Sequence, residues 1–163
     1  ERDLEFRSHA DALAPFVHGF YRKLGKKEGW LRPEMDREYA DLPDEYRDDN
    51  RAAAARISDV VSLVGLYVVP ESHPSSDPPD AAREAVEQNI EILAEAEHDG
   101  WMRYKIQNGW TFGEKRDDAL KVHDCLKPYR ELSECEKEKD RNTAKNYMGI
   151  IREAKFKMVT DLG

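Results

Sequence analysis

The feature that most constrains this chain is that it echoes itself. His18, Tyr21 and the Gly29-Trp30 pair recur 80 residues later as His98, Trp101 and Gly109-Trp110. Tyr39, Leu42, Asn50 and Arg51 recur 90 residues later as Tyr129, Leu132, Asp140 and Arg141, so the second copy carries ten extra residues between its blocks. A duplicated pattern calls for a duplicated local structure. At 163 residues neither half has the interior to be a robust unit alone, which predicts two copies packed on each other. The boundaries that follow are a polar arm over 1–12, a degenerate first copy over 13–69, a linker over 70–79 and the second copy over 80–163.

Apolar spacing fills these copies with helices. Leu13, Phe16 or Val17, Phe20 and Leu24 form the first stripe, with Gly25 as its stop and Pro15 in its first turn or at a kink. Pro43 suits the first position of a second helix, whose stripe runs through Ala53, Ile57, Val60, Val64 and Tyr67 and ends near Val69. Pro70 to Pro79, rich in proline and serine, reads as a linker. A third helix capped by Asp80 carries Val86, Ile90, Leu93, Glu97, Trp101 and Tyr104 to Gly109. Gly100 inside it costs about 1 kcal/mol against alanine unless something packs closely there. Ser133 with Glu136 makes a capping box for a fourth helix that buries Ala144, Tyr147, Ile151, Ala154 and Met158. The expected fold is mainly α: two pairs of long helices, each joined by an aromatic-anchored loop with short strands around Trp110 to Phe112, related by a pseudo-two-fold. Trp30 and Trp110 are expected to anchor those loops in the core.

A net charge of −8 disfavours nucleic acid and anionic lipid as partners. The longest apolar run, Val60 to Val69, is too short and too interrupted to span a membrane. A start at Glu1 suggests a piece of a longer chain. Cys125 and Cys135, in a charged chain, are expected to stay reduced in a cytoplasm. Enzyme motifs and zinc-finger spacing are missing. His123, Cys125 and Cys135 at irregular spacing read as a packed loop, and Asp41, Asp44, Glu45, Asp48 and Asp49 as a solvated helix start. We therefore expect no catalysis, no metal and no cofactor.

A binding pocket fits the residues better. Trp101 follows His98 by three residues and Tyr21 follows His18 by the same step, so each pair shares a helix face. Packed about a two-fold, the four rings can line a cleft and sandwich a planar base, at roughly 1–3 kcal/mol per stacked base. Asn50 and Asp140 offer hydrogen bonds to a base edge or a ribose. Arg51, Arg141, Arg116 and Arg103 offer guanidinium forks to phosphate. For Arg51 and Arg141, pairing with Asp117, Asp118 or Asp36 is an equally open role.

The segment Gly109-Trp110-Thr111-Phe112-Gly113, followed by Arg116-Asp117-Asp118, Cys125-Leu126, Pro128-Tyr129, Leu132 and Asp140-Arg141-Asn142-Thr143-Ala144, resembles the RyR domain. Ryanodine receptors carry this repeat in tandem pairs, and it also occurs in prokaryotic proteins. The resemblance is dense over about Leu93 to Ile151 and reaches about Leu13 to Leu66 only through the shared pattern. It implies an adenine-nucleotide pocket between repeats that uses His98, Trp101 and Asp140, with Tyr21 where a second tryptophan stands in relatives. It also implies a sensor within a larger protein. The reading is a non-catalytic module that senses a nucleotide or nucleotide-derived signal in the inter-repeat cleft. The alternative is a helical interaction or scaffold module that docks a partner through a loop such as Thr111 to Pro128.

Overall fold

Two glycines each end a long helix, one in each half of the fold. The computed structural model describes residues 2–163, with side chains from residue 9 onward. Helix α1 (Arg2–Glu28) ends where Gly29 turns left-handed at φ 80°. There the N–H groups of Gly29 and Trp30 both reach the Gly25 carbonyl, at 2.9 and 3.0 Å. Helix α4 (Ile90–Gln107) ends likewise, with Gly109 at φ 88° and the Trp110 N–H on the Lys105 carbonyl at 3.0 Å. A side chain with a Cβ adopts this conformation only under strain, so glycine is the fitting terminator.

Between these helices lie α2 (Asp44–Ser62), β1 (Tyr67–Pro70) and α3 (Ala81–Gln88). After α4 come β2 (Thr111–Phe112), β3 (Val122–His123), α5 (Glu134–Glu153) and β4 (Phe156–Val159). Short 3-10 turns at Tyr39–Asp41 and Tyr129–Glu131 precede α2 and α5. The strands form two small sheets. β1 pairs antiparallel with β4, Tyr67 opposite Val159, and β2 pairs parallel with β3. Among the described residues the fold is mainly α: five helices with a few short strands in two-stranded sheets.

The main core runs through the helices, with a smaller cluster of Ala94, Tyr129 and Leu132 beside it. Leu13 and Val17 of α1, Ile57 and Val61 of α2, Leu93 of α4, Tyr147 and Ile151 of α5 and Met158 of β4 all belong to the main core. Leu4 and Phe6 of the expected arm lie outside the described side chains, and the backbone there is already part of α1.

Several expectations need correction. α1 runs past Gly25 and takes Pro15 into its interior, forgoing one helical N–H bond there. α2 stops at Ser62 and not near Val69: Ser62 Oγ donates to the Asp59 carbonyl at 2.7 Å, Gly65 turns left-handed, and Val68 and Val69 join β1. The single third helix is two, broken at Asn89, whose side-chain amide donates to the Ala85 carbonyl at 2.8 Å. Such local bonding competes with helix continuation. Pro43 is the residue before α2 rather than its first, and Met158 packs from β4 rather than from the last helix. The capping box stands as expected, with the Glu136 N–H on Ser133 Oγ at 3.1 Å and the Ser133 hydroxyl on Glu136 Oε1 at 3.0 Å. The linker is latched: the Thr160 N–H donates to Asp77 Oδ2 at 2.8 Å, and His73 Nε2 meets the Leu162 carbonyl at 3.1 Å.

Candidate functional site

His98 lies on the buried face of α4, 2% exposed, and both of its ring nitrogens meet oxygen. Nε2 donates to the Lys127 carbonyl at 2.7 Å, and Nδ1 sits 3.3 Å from Asp140 Oδ2 on α5. An imidazole with two oxygen acceptors is best satisfied as the doubly protonated cation. Burial works against that charge, but Asp140, the Lys127 carbonyl and the more distant Asp99 outweigh it, so the His98 pKa is raised. The ring thereby clasps the loop before α5 onto α4.

A folded pKa above the unfolded one gives stability that is fully present below the ordinary histidine value, about 6.5, and lost as pH rises through the folded value. An NMR titration of the His98 ring is accordingly expected to have its midpoint above about 6.5, falling in Asp140→Asn. A wild-type midpoint at or below the ordinary value contradicts the clasp.

Trp101 is half-buried beside this clasp. Its ring lies 5.6 Å from the His98 ring and meets His123 edge-on at 5.0 Å. In the first half, His18 Nε2 is hydrogen-bonded to the Arg37 carbonyl at 2.6 Å. Tyr21 packs against the core beside Thr143 and Asn146 of α5, and its phenol pKa is raised by burial. Among the described residues, Tyr21 and Trp101 make no ring contact, nor do His18 and His98.

The other expected ligand residues are dispersed. Asn50 donates within its own helix to the Tyr46 carbonyl at 2.9 Å. Arg51 bonds Asp48 at 2.6 Å, and Arg116 bonds Asp118 at 2.8 Å. Arg141 is held by Glu91, Glu134 and Glu138, not by Asp117 or Asp118. Trp110 is buried as expected, with the Lys105 ammonium 4.8 Å above its ring. Trp30 is not: it is 50% exposed, its indole N–H on Glu28 at 2.7 Å.

Of the four candidate arginines, Arg103 alone makes no ion pair among the described residues. It borders a groove of about 630 Å³ between α2 and α4. Ala52, Ala55, Ala96 and Gly100 give the groove a low floor, and Arg56, Asp59, Asp99 and Tyr104 supply its polar groups. Burial raises the Asp59 pKa, with Arg103 acting against the shift.

Gly100 is explained by what crosses it. A Cβ there would stand 2.7 Å from Arg56 Cδ. The Arg56 side chain passes over that glycine to Glu97, which is 5% exposed, with Nε 3.3 Å from both carboxylate oxygens. Tyr147 donates its hydroxyl to Glu97 Oε2 at 2.5 Å. The sequence places Glu97 and Tyr147 on helix stripes without pairing them, and does not single out Arg56 or Asp59. The available signal was Glu97, a carboxylate on an otherwise apolar stripe, which requires a buried partner.

These features define a class: a mainly helical module whose second half clasps an aromatic loop through a buried histidine and its half-buried aspartate partner. Residues 81–159 match the family model of the RyR domain, so the chain contains an RyR domain. His98, Trp101 and Asp140 all lie within the matched segment. No helix among the described residues is long and apolar enough to cross a membrane.

Proposed function

We propose that the chain is a non-catalytic sensing module that binds a nucleotide or nucleotide-derived signal between two tandem RyR-type repeats, as part of a larger cytoplasmic protein. The α2–α4 groove carries this reading, because α2 lies in the first copy and α4 in the second. Its polar groups suit the ligand: carboxylates such as Asp59 and Asp99 accept from ribose hydroxyls, Arg103 donates to phosphate, and the alanine and glycine floor leaves room for a planar base.

The tandem arrangement is supported by matched details. His18 and His98 each bond a carbonyl in the loop before the next helix, those of Arg37 and Lys127. Gly65 and Lys155, 90 residues apart, are both left-handed just before a strand. The position 80 residues before Gly100 is Phe20, whose ring abuts Gly149 of α5.

The test is equilibrium titration with adenine, guanine, cyclic and ADP-ribose-type nucleotides. Saturable binding is expected, weakened about ten- to a hundredfold in Arg103→Ala by loss of a charge-assisted hydrogen bond. Absence of binding across that panel by the folded chain contradicts the reading. The interaction-module alternative is favoured by one observation: Phe112 and Leu120, on the loop between α4 and α5, are 53% and 73% exposed.

A further inference from the structure

The segment that runs from β3 into α5 gathers four side chains of metal-binding chemistry. The donor atoms of His123, Asp124 and Cys125 all lie within 4.8 Å of one another, and none of the three residues is fully exposed. Cys125 Sγ also donates to Glu136 Oε2 at 2.9 Å. Glu136 is already oriented, because its other oxygen accepts from Ser133 in the capping box of α5. His123 Nδ1 accepts the Cys125 N–H at 3.0 Å and lies 3.4 Å from Asp124 Oδ1. The rings of Trp101 and Trp110 lie 5.0 and 6.3 Å away and restrain the imidazole.

We propose that His123, Asp124, Cys125 and Glu136 form a site for one divalent cation of borderline softness, for which Zn²⁺ is the best fit. One sulfur, one nitrogen and two carboxylate oxygens match zinc's preferred donors, and Glu136, which touches Cys125, is the candidate fourth ligand beside the three clustered groups. Alkaline-earth ions are poorly served by the thiol and the imidazole.

On binding, the Cys125 S–H bond breaks and its proton leaves to solvent. The sulfur and Glu136 Oε2 exchange their mutual hydrogen bond for bonds to the metal, and His123 exchanges its bond from the Cys125 N–H. The burial and neighbouring Glu136 that push the free thiol up to about 12 favour the protonated form without metal. A cation removes that disadvantage by neutralising both groups. The result is a clip between the loop and the first turn of α5, adjoining Trp101. Cys135, read from the sequence with His123 and Cys125 as a packed loop, is exposed, and it is its neighbour Glu136 that meets Cys125.

Cobalt(II) is the probe, added to the reduced full chain and followed by absorption. The expected result is saturable thiolate-to-cobalt charge-transfer absorption with tetrahedral ligand-field bands, displaced by Zn²⁺. It should vanish in Cys125→Ser and persist in Cys135→Ser. Glu136→Gln, which retains the capping box, should weaken binding by at least the roughly tenfold that loss of a supporting partner costs. The proposal is overturned if the folded wild type shows no charge-transfer band, if the band survives Cys125→Ser, or if it follows Cys135 instead. None of these readouts depends on a nucleotide.

Discussion

Glu97→Ala is expected to lower the unfolding free energy by about 3–5 kcal/mol, the range for removing one partner of a buried ion pair. Two groups are left without a match. Arg56, whose side chain is only 14% exposed, keeps its charge and loses its carboxylate, and the Tyr147 hydroxyl in the core loses its acceptor. The phenol pKa of Tyr147 is driven well above its ordinary value by burial and by the Glu97 charge, so the hydroxyl stays a donor at neutral pH. Replacing Arg56 and Glu97 together with apolar residues should cost much less, because no stranded charge remains. Urea denaturation of the single and double variants measures this. A loss below about 1 kcal/mol for the single variant, the range of an exposed pair, removes the cluster from any structural role.

His98→Ala is the second large effect, expected to destabilise by about 2–4 kcal/mol through a cavity and two orphaned acceptors. The Lys127 carbonyl and Asp140 both lose their partner, and the loop between α4 and α5 loses its tie to α4. Hydrogen exchange should therefore quicken around 123–132 before it quickens in the core of α5. His98→Gln can still donate to the Lys127 carbonyl and should recover part of the loss. Equal stability of wild type and His98→Ala contradicts the clasp.

What the sequence made legible is mostly local. The Ser133–Glu136 capping box and the apolar stripes of α1 and α5 depend on residues a turn or two apart, and they emerged where expected. The run from Val60 to Val69 was misread as one helix because a short apolar run satisfies helical and strand spacing alike. What decides it is Gly65 together with the β4 partner strand, about 90 residues on. Glu97 could be seen as anomalous but not paired, since Arg56 is 41 residues away. Arg141 likewise takes Glu91 from across the fold, along with Glu134 and Glu138 on its own helix. The RyR segment was legible from its own motif, whereas the α2–α4 groove was not. It exists because Gly100 lets Arg56 lie flat, a relation only the packed helices reveal.

The most direct test of the central claim is hydrogen exchange mapped with and without a nucleotide that binds. Protection is expected to concentrate on the facing stretches of α2 and α4, about residues 52–63 and 96–107, and to be lost in Arg103→Ala. Protection confined to the loop between α4 and α5, or no change at saturating nucleotide, would contradict a ligand seated between the two halves.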